Sequence, residues 1–151
     1  MKRTTAYIFI ISAIFMMTGC SLTQNNTETI YTETDKIQSL LPKIYESGNV
    51  SDVYFTSETL GSNKFSLIPG PSDYKYTGVI TIDQDFAQRI YDNYELEDKA
   101  ITIDDSIKEY ISNEEDSWMT SPSFTADFKP QYYGGNIYIL DNQIYFELST
   151  T

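Results

Sequence analysis

Ile137-Tyr138-Ile139-Leu140-Asp141-Asn142-Gln143-Ile144-Tyr145-Phe146-Glu147-Leu148 decides the fold. Apolar side chains recur at every second position on both sides of Asp141-Asn142, a pair suited to a two-residue hairpin turn. The expected register sets Ile139 against Ile144 and Tyr138 against Tyr145. Ile137, Ile139, Ile144, Phe146 and Leu148 then share one face, and the tyrosine pair takes the other. A chain that ends in such a hairpin needs a sheet to receive it.

Residues 74–82 supply the clearest further strand. Tyr76, Gly78, Ile80 and Ile82 face one side, and Lys75, Thr77, Val79 and Thr81 the other. Residues 50–58 are rich in β-branched and aromatic side chains, Gly61-Ser62-Asn63 turns, and 65–68 returns. Pro69-Gly70-Pro71-Ser72-Asp73 then breaks the chain, since neither proline can donate to a ladder. Phe124, Ala126 and Phe128 alternate as a strand that Pro130 stops.

Helical spacing appears in three places. Ile37, Leu40, Leu41, Ile44 and Tyr45 form one stripe, capped by Thr34 or Asp35. Pro42 ends or kinks that helix, because proline costs about 3 kcal/mol in a helix interior. Asp83 caps a second helix carrying Phe86, Ala87, Ile90, Tyr91 and Tyr94. Asp104 caps a short third one with Ile107, Tyr110 and Ile111. Blocks of strands joined by hairpins predict an α+β fold. Its sheet is expected to be largely antiparallel, with about four to six strands and two or three helices, closing on the C-terminal hairpin.

The N-terminus follows different rules. Lys2 and Arg3 precede an almost wholly apolar run over residues 6–17, and Thr18-Gly19-Cys20 ends it with small residues. That is the layout of a secretory signal peptide. Its greasy core is well short of the roughly 20 residues a membrane-crossing helix needs. Met17-Thr18-Gly19-Cys20 resembles the lipobox of bacterial lipoproteins, although leucine is commoner at the first position and alanine or serine at the second. The resemblance implies cleavage between Gly19 and Cys20 and a diacylglyceryl group on the Cys20 sulfur. Two acyl chains anchor durably where one does not. Residues 1–19 are thus expected to leave, 20–32 to form a lipidated cysteine and flexible tether, and 33–151 to fold as a single acidic domain. The expected location is the extracytoplasmic face of the cell membrane. Pro69-Gly70-Pro71-Ser72-Asp73-Tyr74, running into a strand and a helix, also resembles a segment of small uncharacterised bacterial envelope proteins, which implies no activity.

Charge and residue usage narrow the function. The chain carries ten basic and twenty-two acidic side chains. Once Lys2 and Arg3 leave, eight basic residues remain and the net charge is −14. Such a surface repels nucleic-acid backbones and anionic headgroups, so the lipid on Cys20 is the expected membrane contact and no nucleic-acid partner is expected. Cys20 is the single cysteine, which leaves no disulfide. There is no histidine, so Ser-His-Asp and Cys-His catalysis and imidazole-held zinc are excluded. No phosphate-loop or dinucleotide fingerprint occurs, and Gly134-Gly135 lacks that context. Asp83-Gln84-Asp85 opens like a calcium loop but places Gln88 where the obligatory glycine belongs. No cofactor or metal is expected.

Two chemistries remain. A carboxylate pair could hydrolyse cell-wall glycan if two acids converged about 5–10 Å apart, one with a raised pKa. Asp73, beside the proline turn, is the first acid to inspect, although an Asx-turn role suits it as well. Glu114-Glu115-Asp116 reads as a solvated loop. The other chemistry is recognition by tyrosine, with its rigid apolar ring and polar tip. Tyr132, Tyr133, Tyr138 and Tyr145 form the expected binding surface, although tyrosine also packs well in strands. These features point to a non-enzymatic, lipid-anchored module that binds an extracytoplasmic protein or envelope component, with the glycan hydrolase as the alternative.

Overall fold

The computed structural model describes residues 30–32, 34–60, 73–113 and 117–150. The expected signal peptide, Cys20, the tether as far as residue 29, the turn and returning stretch within 61–68, the Pro69-Gly70-Pro71-Ser72 break and Glu114-Glu115-Asp116 lie outside them.

Six strands form one antiparallel sheet. In chain order they are β1 (Val50–Leu60), β2 (Asp73–Ile82), β3 (Glu97–Lys99), β4 (Trp118–Thr120), β5 (Tyr133–Leu140) and β6 (Gln143–Thr150). In space they run β1-β2-β6-β5-β4-β3, so the C-terminal hairpin sits in the middle. Its register is the expected one, with Ile139 opposite Ile144 and Tyr138 opposite Tyr145. Asp141 takes the turn at φ 51°, a left-handed conformation that aspartate tolerates better than most residues. β1 pairs with β2 over nearly its whole length.

Gly78 explains how that centre closes. A Cβ there would lie 2.6 Å from the Phe146 ring, from Phe55 Cβ and from the Tyr54 carbonyl. Only a bare backbone lets the two phenylalanines meet across β2.

Helices cover one face. α1 (Thr34–Leu40) and α2 (Pro42–Ser47) are halves of one helical segment. Pro42 stands at the start of α2, where its missing N–H costs nothing. α3 (Gln84–Asn93) begins at Asp83, whose carboxylate accepts the Phe86 N–H and the Asn49 N–H, each at 2.7 Å. Ile37, Leu41, Ile44, Phe86 and Ile90 pack on Phe55, Ile80, Ile144 and Phe146, all buried. Each contributes about 1.5–3 kcal/mol of burial.

Three expectations change. Phe124, Ala126 and Phe128 belong to a helix, α4 (Pro122–Phe128), not a strand. Ser121 caps it by accepting the Phe124 N–H, and Phe124 and Phe128 share a face because four residues make about one turn. The expected third helix shrinks to a 3-10 turn over Lys108–Tyr110, although Asp104 does accept the Ser106 N–H at 3.1 Å and its hydroxyl at 2.7 Å. The last residues of the expected tether lie on the domain: Tyr31 and Phe55 exchange both backbone hydrogen bonds, at 2.8 and 3.1 Å, along the outer edge of β1.

The second sheet face is also closed. The stretch from Ile101 to Ile111 crosses it, and buried Ile103, Ile107 and Ile111 pack with Val79, Trp118, Tyr138 and Tyr145. Among the described residues no helix is long and apolar enough to cross a membrane.

Candidate functional site

The tyrosines singled out from sequence are not gathered into one surface. Tyr138 is 7% exposed and Tyr145 fully buried, so the face expected to meet a partner is a second core instead. The cause is the crossing stretch around Ile103 and Ile107, which needs an apolar floor. The Tyr145 hydroxyl donates to Glu147 at 2.9 Å, which satisfies its polar tip. Burial, and then the Glu147 charge, push that phenol far above its usual range. Tyr133 is an odd number of positions from Tyr138 on β5, so the two rings leave opposite faces. Its ring lies 6.4 Å from Tyr76. Tyr132 alone is open to solvent, at 79%.

A different site lies where β4 ends. Met119 opposes Ile139, and after Thr120 the chain leaves the sheet to form α4. On that side of β5, opposite its pairing with β6, no further strand continues among the described residues, and a groove of about 500 Å³ opens there. Glu97, Asp98 and Lys99 of β3 form one bank, and Thr125 and Lys129 lie on the side of α4. Gly135, Asn136 and Tyr138 of β5 line the floor. The Thr120 hydroxyl donates to the Ile137 carbonyl at 2.7 Å, and Thr125 reaches the same oxygen at 3.4 Å. Side-chain hydroxyls here replace the absent strand.

Gly135 is fixed by this geometry. It sits at φ +103°, and a Cβ would lie 1.9 Å from the Glu147 carbonyl oxygen. The double glycine noted in the sequence is therefore a close approach of backbones.

Among the described residues, the acids of the groove do not converge. Glu97 and Asp98 are the acids on the groove, and as strand neighbours they project to opposite faces. Asp73 is exposed at the start of β2, opposite Leu60, away from the groove lining. Asp83 and Asp104 are both lowered below the usual carboxylate range, opposite to what a general acid needs. For Asp83 the cause is the Asn49 and Phe86 N–H groups. For Asp104 burial pulls upward, and the Ser106 hydrogen bonds outweigh it. Among the described residues no three His, Cys, Asp or Glu side chains gather closely enough to hold a metal ion.

A second cluster escaped the sequence reading. Lys36 Nζ stands over three rings, 5.4 Å from Tyr31, 5.9 Å from Phe55 and 5.3 Å from Tyr76. These residues come from the N-terminal segment, α1, β1 and β2, and no local spacing links them. Cation–π attraction helps hold the incoming chain against the sheet.

Compared with models of known families, with curated proteins and with solved structures, the chain matches none. The groove must be read from its own geometry.

Proposed function

We propose that this chain is a lipid-anchored lipoprotein of the bacterial envelope, held on the extracytoplasmic face of a membrane through Cys20. There it acts as a non-enzymatic binding module whose site is the groove beside β5. The lipobox-like Met17-Thr18-Gly19-Cys20 supports the anchor. The observation that carries the binding role is positional. Tyr31 joins the outer edge of β1, while the groove lies at the other end of the strand order, between β5 and β3. Five strand spacings, about 24 Å, separate the two edges. The ten residue-to-residue steps from Cys20 to Ile30 reach about 33 Å at full extension. A domain tethered by one edge presents its opposite edge outward.

The glycan-hydrolase alternative gains no support from the groove, whose two acids diverge.

Two measurements test the reading. Mass spectrometry of the native protein is expected to find a chain beginning at Cys20 with a diacylglyceryl group. A free thiol, or a chain still beginning with Met1, removes the anchor. A photo-crosslinking residue at Asn136 is expected to capture a discrete partner in intact cells, and one at Asp52, on β1, is not. Equal capture at both positions would sink the groove as the binding site.

A further inference from the structure

The lysine that stands over three rings also borders a cavity. Lys36, Ser39 and Leu40 of α1 form one side of a pocket of about 200 Å³, and Tyr76 of β2 and Tyr133 of β5 form the other. None of these residues lines the groove. In a chain with twenty-two acidic side chains, this lining holds one cation and no carboxylate. Among the described residues the Lys36 ammonium pairs with no carboxylate either, and its contacts are the faces of Tyr31, Phe55 and Tyr76. Ring faces attract the charge but leave its three N–H donors without an oxygen acceptor.

Three constraints define what fits. Size is the first. Pockets for drug-sized ligands run to about 300–1,000 Å³, so this smaller one takes a single ring and not a chain. Shape is the second. The Tyr76 and Tyr133 planes cross at 52° with centroids 6.4 Å apart, a wedge and not the parallel slot that suits a flat aromatic ring. A saturated ring with an apolar C–H face and polar edges matches walls that each offer a ring and a hydroxyl tip. The Ser39 hydroxyl already donates to the carbonyls of α1, at 2.9 Å to Asp35 or 3.2 Å to Lys36, which leaves its oxygen as an acceptor. Charge is the third. One lysine with no arginine fork beside it suits a single negative charge, and the chain's net charge of −12 works against a phosphate dianion.

We infer that this pocket binds a carboxylate-bearing pyranose, a sugar of the uronic-acid class, with its C–H face on Tyr76 and its carboxylate on the Lys36 ammonium. The site is separate from the groove and does not depend on it.

The test titrates the full chain with methyl β-glucuronoside, methyl β-glucoside and acetate. The readouts are the ring resonances of Tyr76 and Tyr133 and, as a control, the Ile139 amide. The glucuronoside is expected to shift both rings saturably and to leave Ile139 in place. The glucoside, which keeps the sugar and lacks the charge, is expected to bind about tenfold more weakly. Acetate is expected to move neither ring. Lys36→Met keeps the stem and loses the charge, so it should bring the two sugars to equal affinity, with an unmoved Ile139 amide reporting an intact sheet. The comparison of sugars on the unaltered chain needs no variant. No saturable shift with the glucuronoside, equal affinity for both sugars, acetate moving the same rings, or a preference that survives Lys36→Met would each overturn the inference. Each of these results leaves the groove reading as it stands, because the two sites share no residue.

Discussion

Tyr138 lies against Tyr145 across the C-terminal hairpin, with ring centroids 6.0 Å apart and planes 28° from parallel. Trp118 closes on Tyr145 from the side, 5.7 Å away. This aromatic group is the centre of the second core, so altering it tests stability before it tests binding.

Replacing Tyr145 by serine is expected to cost about 3–5 kcal/mol, as for other large-to-small changes in a core. Tyr145→Phe, which keeps the ring and loses the hydroxyl with its bonds to Glu147 and the Asp104 backbone, is expected to cost about 1–2 kcal/mol. Urea denaturation of the two variants checks the ordering. Equal costs would mean the ring contributes little.

Gly78→Ala forces a methyl group into the space between Phe55 and Phe146. Overpacking of this kind costs about 1–3 kcal/mol, and here part of the obstruction is the Tyr54 carbonyl, which cannot swing aside. Thermal unfolding should show a clear loss. An unchanged midpoint would contradict the close packing across β2.

Ser121→Ala removes the side chain that caps α4 and is expected to cost about 1 kcal/mol. Since α4 walls the groove, the variant should also raise hydrogen exchange at Thr125 and Phe128 more than at Ile144. Uniform exchange across all three would detach the cap from the groove.

The pH profile of stability follows from signs. Asp83 and Asp104 are lowered below 3.8 by the N–H and hydroxyl groups they accept, so their contribution is full above that value and is lost as pH falls through their folded-state pKa. Tyr45 and Tyr94 are raised from 10.0 to about 12, chiefly by burial. Their contribution is full below 10.0 and is lost as pH climbs toward 12. With no histidine to titrate between these limits, unfolding midpoints should form a plateau from about pH 5 to 9. A transition near pH 6.5 would be incompatible with these groups.

What the sequence disclosed was local. The hairpin, its register and the strand ending at Ile82 were readable because a period of two repeats over enough residues to exclude a helix. Phe124 and Phe128 mislead because a spacing of four satisfies both periods, and only the Ser121-Pro122 start favours the helix. The burial of Tyr138 and Tyr145 was not legible. It depends on the stretch from Ile101 to Ile111 lying across the sheet, a contact more than twenty-five residues distant in sequence. The groove was hidden for a related reason: it exists because β4 ends at Thr120, one position short of facing Ile137, and element boundaries are the least readable feature of a sequence. The cluster of Tyr31, Lys36, Phe55 and Tyr76 joins four elements and left no periodic trace.

The bridge from Tyr31 to Phe55 has one more consequence. An eleven-residue strand with a bare rim invites the same strand of a neighbouring molecule to zip onto it, and crowding multiplies such encounters. Tyr31 occupies the middle station of that rim, so a second β1 cannot dock along its length without first displacing it. The chain thereby guards itself against fibrous self-assembly with the residues that lead it into its own fold.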